Sequence, residues 1–145
     1  MLRGGLIAGA AALVLGVAVY ALWPVPGDPL PEALPEGVVP LPSGGQARLQ
    51  EVLTDRPGEG LTYRFRFVQD GFFVDEARFE AVMADLEHLC NVYAVPRLSA
   101  IGPKPGQLVI SLAAQETVFA EPNPDIPQVF EIFSVENGTC IWKEF

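Results

Sequence analysis

The chain has 145 residues, 14 of them proline, and a net charge of −9. All 18 carboxylates follow Trp23, against eight of the nine basic side chains, so the portion after that residue is strongly acidic. It lacks the clustered Lys and Arg that displace counterions from a phosphate backbone, which argues against nucleic acid as a partner, and an anionic bilayer surface repels it.

From Gly4 to Trp23 the sequence GGLIAGAAALVLGVAVYALW carries no charge. At about 1.5 Å per residue a helix of that length matches a hydrocarbon core of about 30 Å, so residues 1–23 are expected to form a transmembrane helix. Tyr20 and Trp23 fall at its outer end, where aromatic rings favour the interface, and Arg3 keeps the short N-terminal flank inside. Gly5, Gly9, Ala12 and Gly16 share one helix face, smooth enough for a second helix to approach closely in lipid. The competing expectation is a signal peptide. Those have shorter apolar regions, about 7–15 residues, and a small-x-small cleavage site; Val19-Tyr20-Ala21 supplies one, with release near Ala21.

Residues 24–45 follow as a linker with seven prolines between Pro24 and Pro42 and with Asp28, Glu32 and Glu36 interspersed. Proline disfavours helix and sheet and favours polyproline II, which at about 3.1 Å per residue reaches roughly 60 Å. A semi-rigid spacer is expected. A proline-rich recognition ligand is the other use of such a sequence, but no paired basic anchor accompanies these prolines.

Residues 46–145 are expected to form one domain. QARLQEVLTD (Gln46–Asp55) and LTYRFRFVQ (Leu61–Gln69) read as strands around the turn RPGEG, with Tyr63, Phe65 and Phe67 on one face and Arg64 and Arg66 on the other. The helix DEARFEAVMADLEHLCNVYAV opens on Asp75 as N-cap, carries Phe79, Val82, Met83, Leu86, Cys90 and Tyr93 at helical period, and ends at Val95-Pro96. A loop and a strand, QLVISLA (Gln107–Ala113), follow. VFEIFSVE, then Asn137-Gly138, then TCIWKEF predicts a hairpin on a type I′ turn, with Val135 opposite Cys140 and Phe133 opposite Trp142. The order β-β-α-β-β-β implies an α+β domain, an antiparallel sheet packed on one helix.

Cys90 and Cys140 are the only cysteines, one on the apolar helix face and one on the Trp142 face of the last strand. An even pair in an oxidising compartment reads as a disulfide. It would close a loop of about fifty residues and stabilise by roughly 4 kcal/mol in the chain-entropy model. A redox or metal role lacks its usual setting, for there is no C-x-x-C and no ligand cluster nearby in sequence.

His88 is the only histidine; Asp85 lies one helical turn before it, yet zinc would want two further donors. Cys90 and His88 point in different directions on a helix and make a poor nucleophile–base pair. No nucleophile elbow, phosphate loop or dinucleotide fingerprint occurs. No catalytic residue, metal or cofactor is therefore expected. Arg64 and Arg66, side by side on a strand face, are candidates to contact an anion or a partner; cross-strand pairing with acids is the structural alternative.

The succession LQEVL…YRFRFV…DLEHLC…LVISL…FEIF…CIWKEF, roughly Leu41 to Trp142 with both cysteines, resembles a family of small uncharacterised proteins of Rhodobacter-type alphaproteobacteria. The resemblance implies a Gram-negative envelope setting and no activity. The expected protein is a non-catalytic single-pass inner-membrane protein, N-terminus inside, with its domain in the periplasm. It would act as an accessory or assembly subunit that meets a membrane complex through its helix and domain. The alternative is a secreted periplasmic binding module released near Ala21.

Overall fold

Tyr63, Phe65 and Phe67 alternate with Arg64 and Arg66, and in the computed structural model this alternation sorts the two faces of a six-stranded sheet. The structure describes residues 36–58 and 60–144. The strands are β1 (Val38–Pro40), β2 (Gln46–Asp55), β3 (Thr62–Val68), β4 (Gln107–Ala113), β5 (Gln128–Glu136) and β6 (Thr139–Trp142), lying side by side in that order. All neighbours are antiparallel except β3 and β4, which run parallel with Thr62 beside Gln107 and Val68 beside Ala113. The expected antiparallel sheet is thus corrected to a mixed one. The cause is the helical crossover between β3 and β4, which carries the chain from the end of one strand back to the start of the next.

A second correction concerns β1. Val38, Val39 and Pro40 pair with Arg48, Ala47 and Gln46, so part of the stretch read as spacer is an edge strand. Proline is tolerated there because the outer edge needs no donor. The turn to β2 uses Gly44 and Gly45, both with positive φ, and the Leu41 carbonyl accepts the Gly44 N–H.

Asp75 caps the approach to the helix: its carboxylate accepts the Arg78 N–H at 2.9 Å, and regular α-helix α1 runs Phe79–Leu89. The apolar stripe buries Val82, Leu86, Leu89, Cys90 and Tyr93, while Phe79, expected on it, is exposed because burial starts only one turn later. Nor does the helix end at Val95-Pro96. It widens into a π turn at Cys90–Ala94, tightens into a 3₁₀ turn at Val95–Arg97, and closes with α2 (Leu98–Ile101). Pro96 sits in the first positions of the 3₁₀ turn, where its missing N–H costs nothing.

The helical crossover covers one sheet face, called inner here. Phe65, Phe67, Leu108, Ile110, Leu112 and Phe133 are buried beneath it. Tyr93 meets Phe65 and Phe67 edge-on, with ring centroids 6.3 and 5.4 Å apart. The β5–β6 hairpin has the expected register: Phe133 opposite Trp142, Val135 opposite Cys140, and Asn137 and Gly138 both at positive φ in the turn. Among the described residues no helix is long and apolar enough to cross a membrane; residues 1–23, with Gly5, Gly9, Ala12 and Gly16, lie outside them.

Candidate functional site

The inner face is locked. Cys90 and Cys140 form a disulfide, with Cα atoms 6.2 Å apart, between the π turn and β6. Beside it the Asn91 side chain accepts the Cys140 backbone N–H at 2.9 Å and donates to the Glu87 carbonyl at 3.1 Å. Trp142 Nε1 donates to Glu87 Oε2 at 3.3 Å. The short strand β6 is thereby held to the helix by one covalent and two polar ties.

Asp85 does not partner His88. It is 1 % exposed, and its carboxylate accepts the Ser43 N–H at 3.0 Å and the Ser43 hydroxyl. A buried carboxylate with two donors is satisfied, and it ties α1 to the β1–β2 turn. Among the described residues no group of three His, Cys, Asp or Glu side chains could hold a metal ion.

The outer face differs. Arg64 and Arg66 project from β3 between acids of β2 and side chains of β4. Arg66 pairs with Glu51 through Nη1 and donates to Thr117 Oγ1 through Nη2 at 2.6 Å, leaving the side chain only 11 % exposed. Arg64 donates to the Asp55 carboxylate through Nε at 3.1–3.2 Å. Its two terminal nitrogens have no hydrogen-bond partner among the described residues. The cross-strand pairing named above as the structural alternative is therefore present, and it uses only one side of Arg64.

Residues 114–127, between β4 and β5, fold back over this face. Thr117 is buried, its carbonyl accepts Gln50 Nε2 at 2.8 Å, and Glu116 pairs with Arg48 at 2.7 Å. The Phe119 ring lies over both guanidinium groups, 5.2 Å from Arg64 and 5.7 Å from Arg66. Ala120 then takes φ 65°, a left-handed conformation that costs a non-glycine residue of order 1 kcal/mol.

Between segment and sheet lies a groove of about 490 Å³, with Val109, Ser111 and Phe130 as its floor and Val118–Pro122 as its wall. Phe130 is 63 % exposed, and Val118 and Phe119, also lining the groove, are exposed as well. Arg64 and Arg66 close one side. The sequence singles out the arginines but not the groove. The available signal was Val118-Phe119, an apolar pair inside the polar stretch AQETVFAEPNPD, together with Val109, Phe130 and Ile132 on the arginine side of their strands.

A model of a family of unknown function, DUF6497, matches residues 26–145. The chain belongs to that family. No curated protein and no solved structure matches it.

Proposed function

We propose that the chain is a non-catalytic protein of a bacterial envelope, anchored in the inner membrane by residues 1–23, with the domain held in the periplasm on its proline-rich spacer. There it serves as an accessory or assembly subunit of a larger membrane complex, which the face of Gly5, Gly9, Ala12 and Gly16 meets within the bilayer. The observation that carries the reading is the Cys90–Cys140 disulfide, a bond that persists in oxidising compartments. The charge-free stretch Gly4–Trp23 supports the anchor. The buried polar groups support a scaffold rather than acid–base chemistry, since Asp85 and Arg66 are each spent on structural partners.

A second reading, a binding module freed by cleavage near Ala21, draws support from the outer-face groove. Intact mass and carbonate extraction of the native protein separate the two. The anchored form keeps Met1 and resists extraction; a chain that starts at Leu22 in the soluble fraction would replace the first reading by the second. Two free thiols in the denatured, unreduced protein would overturn both.

A further inference from the structure

The groove on the outer face has the makings of a ligand site, and its chemistry narrows the ligand. Its volume, about 490 Å³, falls in the usual range of small-molecule sites, roughly 300–1,000 Å³. Floor and wall are mostly apolar: Val109, Phe130, Val118 and Phe119. Such surface calls for an apolar body. At one side stands Arg64, 20 % exposed, with its Nε hydrogen-bonded to Asp55 and its terminal nitrogens without an acceptor among the described residues. A planar fork of donors in a partly dry place fits a carboxylate in bidentate fashion. The half-buried Ser111 hydroxyl also lines the groove and has no partner among the described residues.

Charge limits the ligand further. Arg66 is neutralised by Glu51 and Arg64 is matched by Asp55. Glu121 adds an exposed carboxylate to the wall. Three carboxylates thus face two guanidinium groups, so repulsion grows with every charge on the ligand, and a monoanion is disfavoured less than a dianion such as a phosphate monoester. The left-handed backbone at Ala120, where the segment turns along the groove, is a strain of the kind that collects at binding sites.

We infer that the groove binds an apolar-bodied monocarboxylate, its carboxylate accepting from the terminal nitrogens of Arg64 and its body lying on Val109, Phe119 and Phe130. The inference holds whether the chain is anchored or released.

The test is equilibrium dialysis of the full chain in lipid nanodiscs, with empty discs as background and with octanoate, octanol, octylammonium and inorganic phosphate as probes. Saturable octanoate binding is expected, at least tenfold tighter than octanol, with no saturable octylammonium or phosphate. R64Q should weaken octanoate about tenfold or more and leave octanol unchanged, the size of a lost charge-assisted hydrogen bond. Phe119→Ser, at a position 43 % exposed, removes apolar wall and should weaken both octanoate and octanol, and it decides the matter if R64Q fails to fold. Equal binding of octanoate and octanol, tighter phosphate than octanoate, octanoate binding that survives R64Q or Phe119→Ser in a folded protein, or no saturable octanoate binding would each overturn the inference.

Discussion

The two faces of one sheet are built to different ends. On the inner face, Phe65, Ile110, Leu112 and Phe133 vanish beneath α1, and the covering helix is fastened at two places, to β6 by the disulfide and Asn91 and to the β1–β2 turn by Asp85. On the outer face, the cover is an irregular segment, Phe130 and Ile141 stay exposed, and Arg64 keeps donors that no described residue uses. The same alternation along β3 feeds both, aromatic to one side and arginine to the other. Stability is thus concentrated on the inner side, and the outer side is where the inferred ligand groove lies. Recognition surfaces tend to sit on loops positioned by a rigid scaffold, and segment 114–127 over this sheet follows that arrangement.

The sharpest way to break the contrast is to open the disulfide. Cys90→Ser with Cys140→Ser should lower unfolding free energy by about 4 kcal/mol, read as the urea midpoint, because the loop it closes spans 50 residues. An unchanged midpoint would mean the inner face does not depend on its staple. Next comes a matched pair of truncations. Leu89→Ala, fully buried, should cost about 3 kcal/mol, while Phe130→Ala, mostly exposed, should stay within about 0.5 kcal/mol. Equal costs would erase the distinction between the faces. Asp85→Ala removes two hydrogen bonds to Ser43 and should cost about 2 kcal/mol in the same assay. The smallest effect is expected on the outer face: Ala120→Gly should raise stability by up to about 1 kcal/mol, by releasing the left-handed strain. A loss there would show that the Ala120 side chain holds the segment in place.

Much of the inner face was legible in the sequence. β2 and β4 begin and end at the residues that the sequence marks as strands, Gln46–Asp55 and Gln107–Ala113. Asn137-Gly138 fixed the last hairpin to the residue, and with it the face of Cys140. What escaped depends on partners distant along the chain. Parallel pairing of β3 with β4 leaves no mark in either strand's own pattern; it follows from where the crossover delivers the chain. β1 is three residues long and ends in proline, so it hid in the spacer. Asp85 looks like any acid on a helix, and only Ser43, 42 residues earlier, draws it inside. The groove is hidden in the sequence for the same reason, since its wall and its arginines are separated by some fifty positions and meet only in the fold.

The most direct test of the account is native purification. With a tag at the C-terminus, membranes dissolved in mild detergent should yield the chain with its disulfide intact and with a defined membrane complex co-eluting in stoichiometric amount. Replacing Gly5, Gly9 and Gly16 by Leu should dissolve that association while the domain stays folded. A lone tagged chain in a soluble fraction, or a complex indifferent to those three substitutions, would contradict the proposed role of accessory subunit.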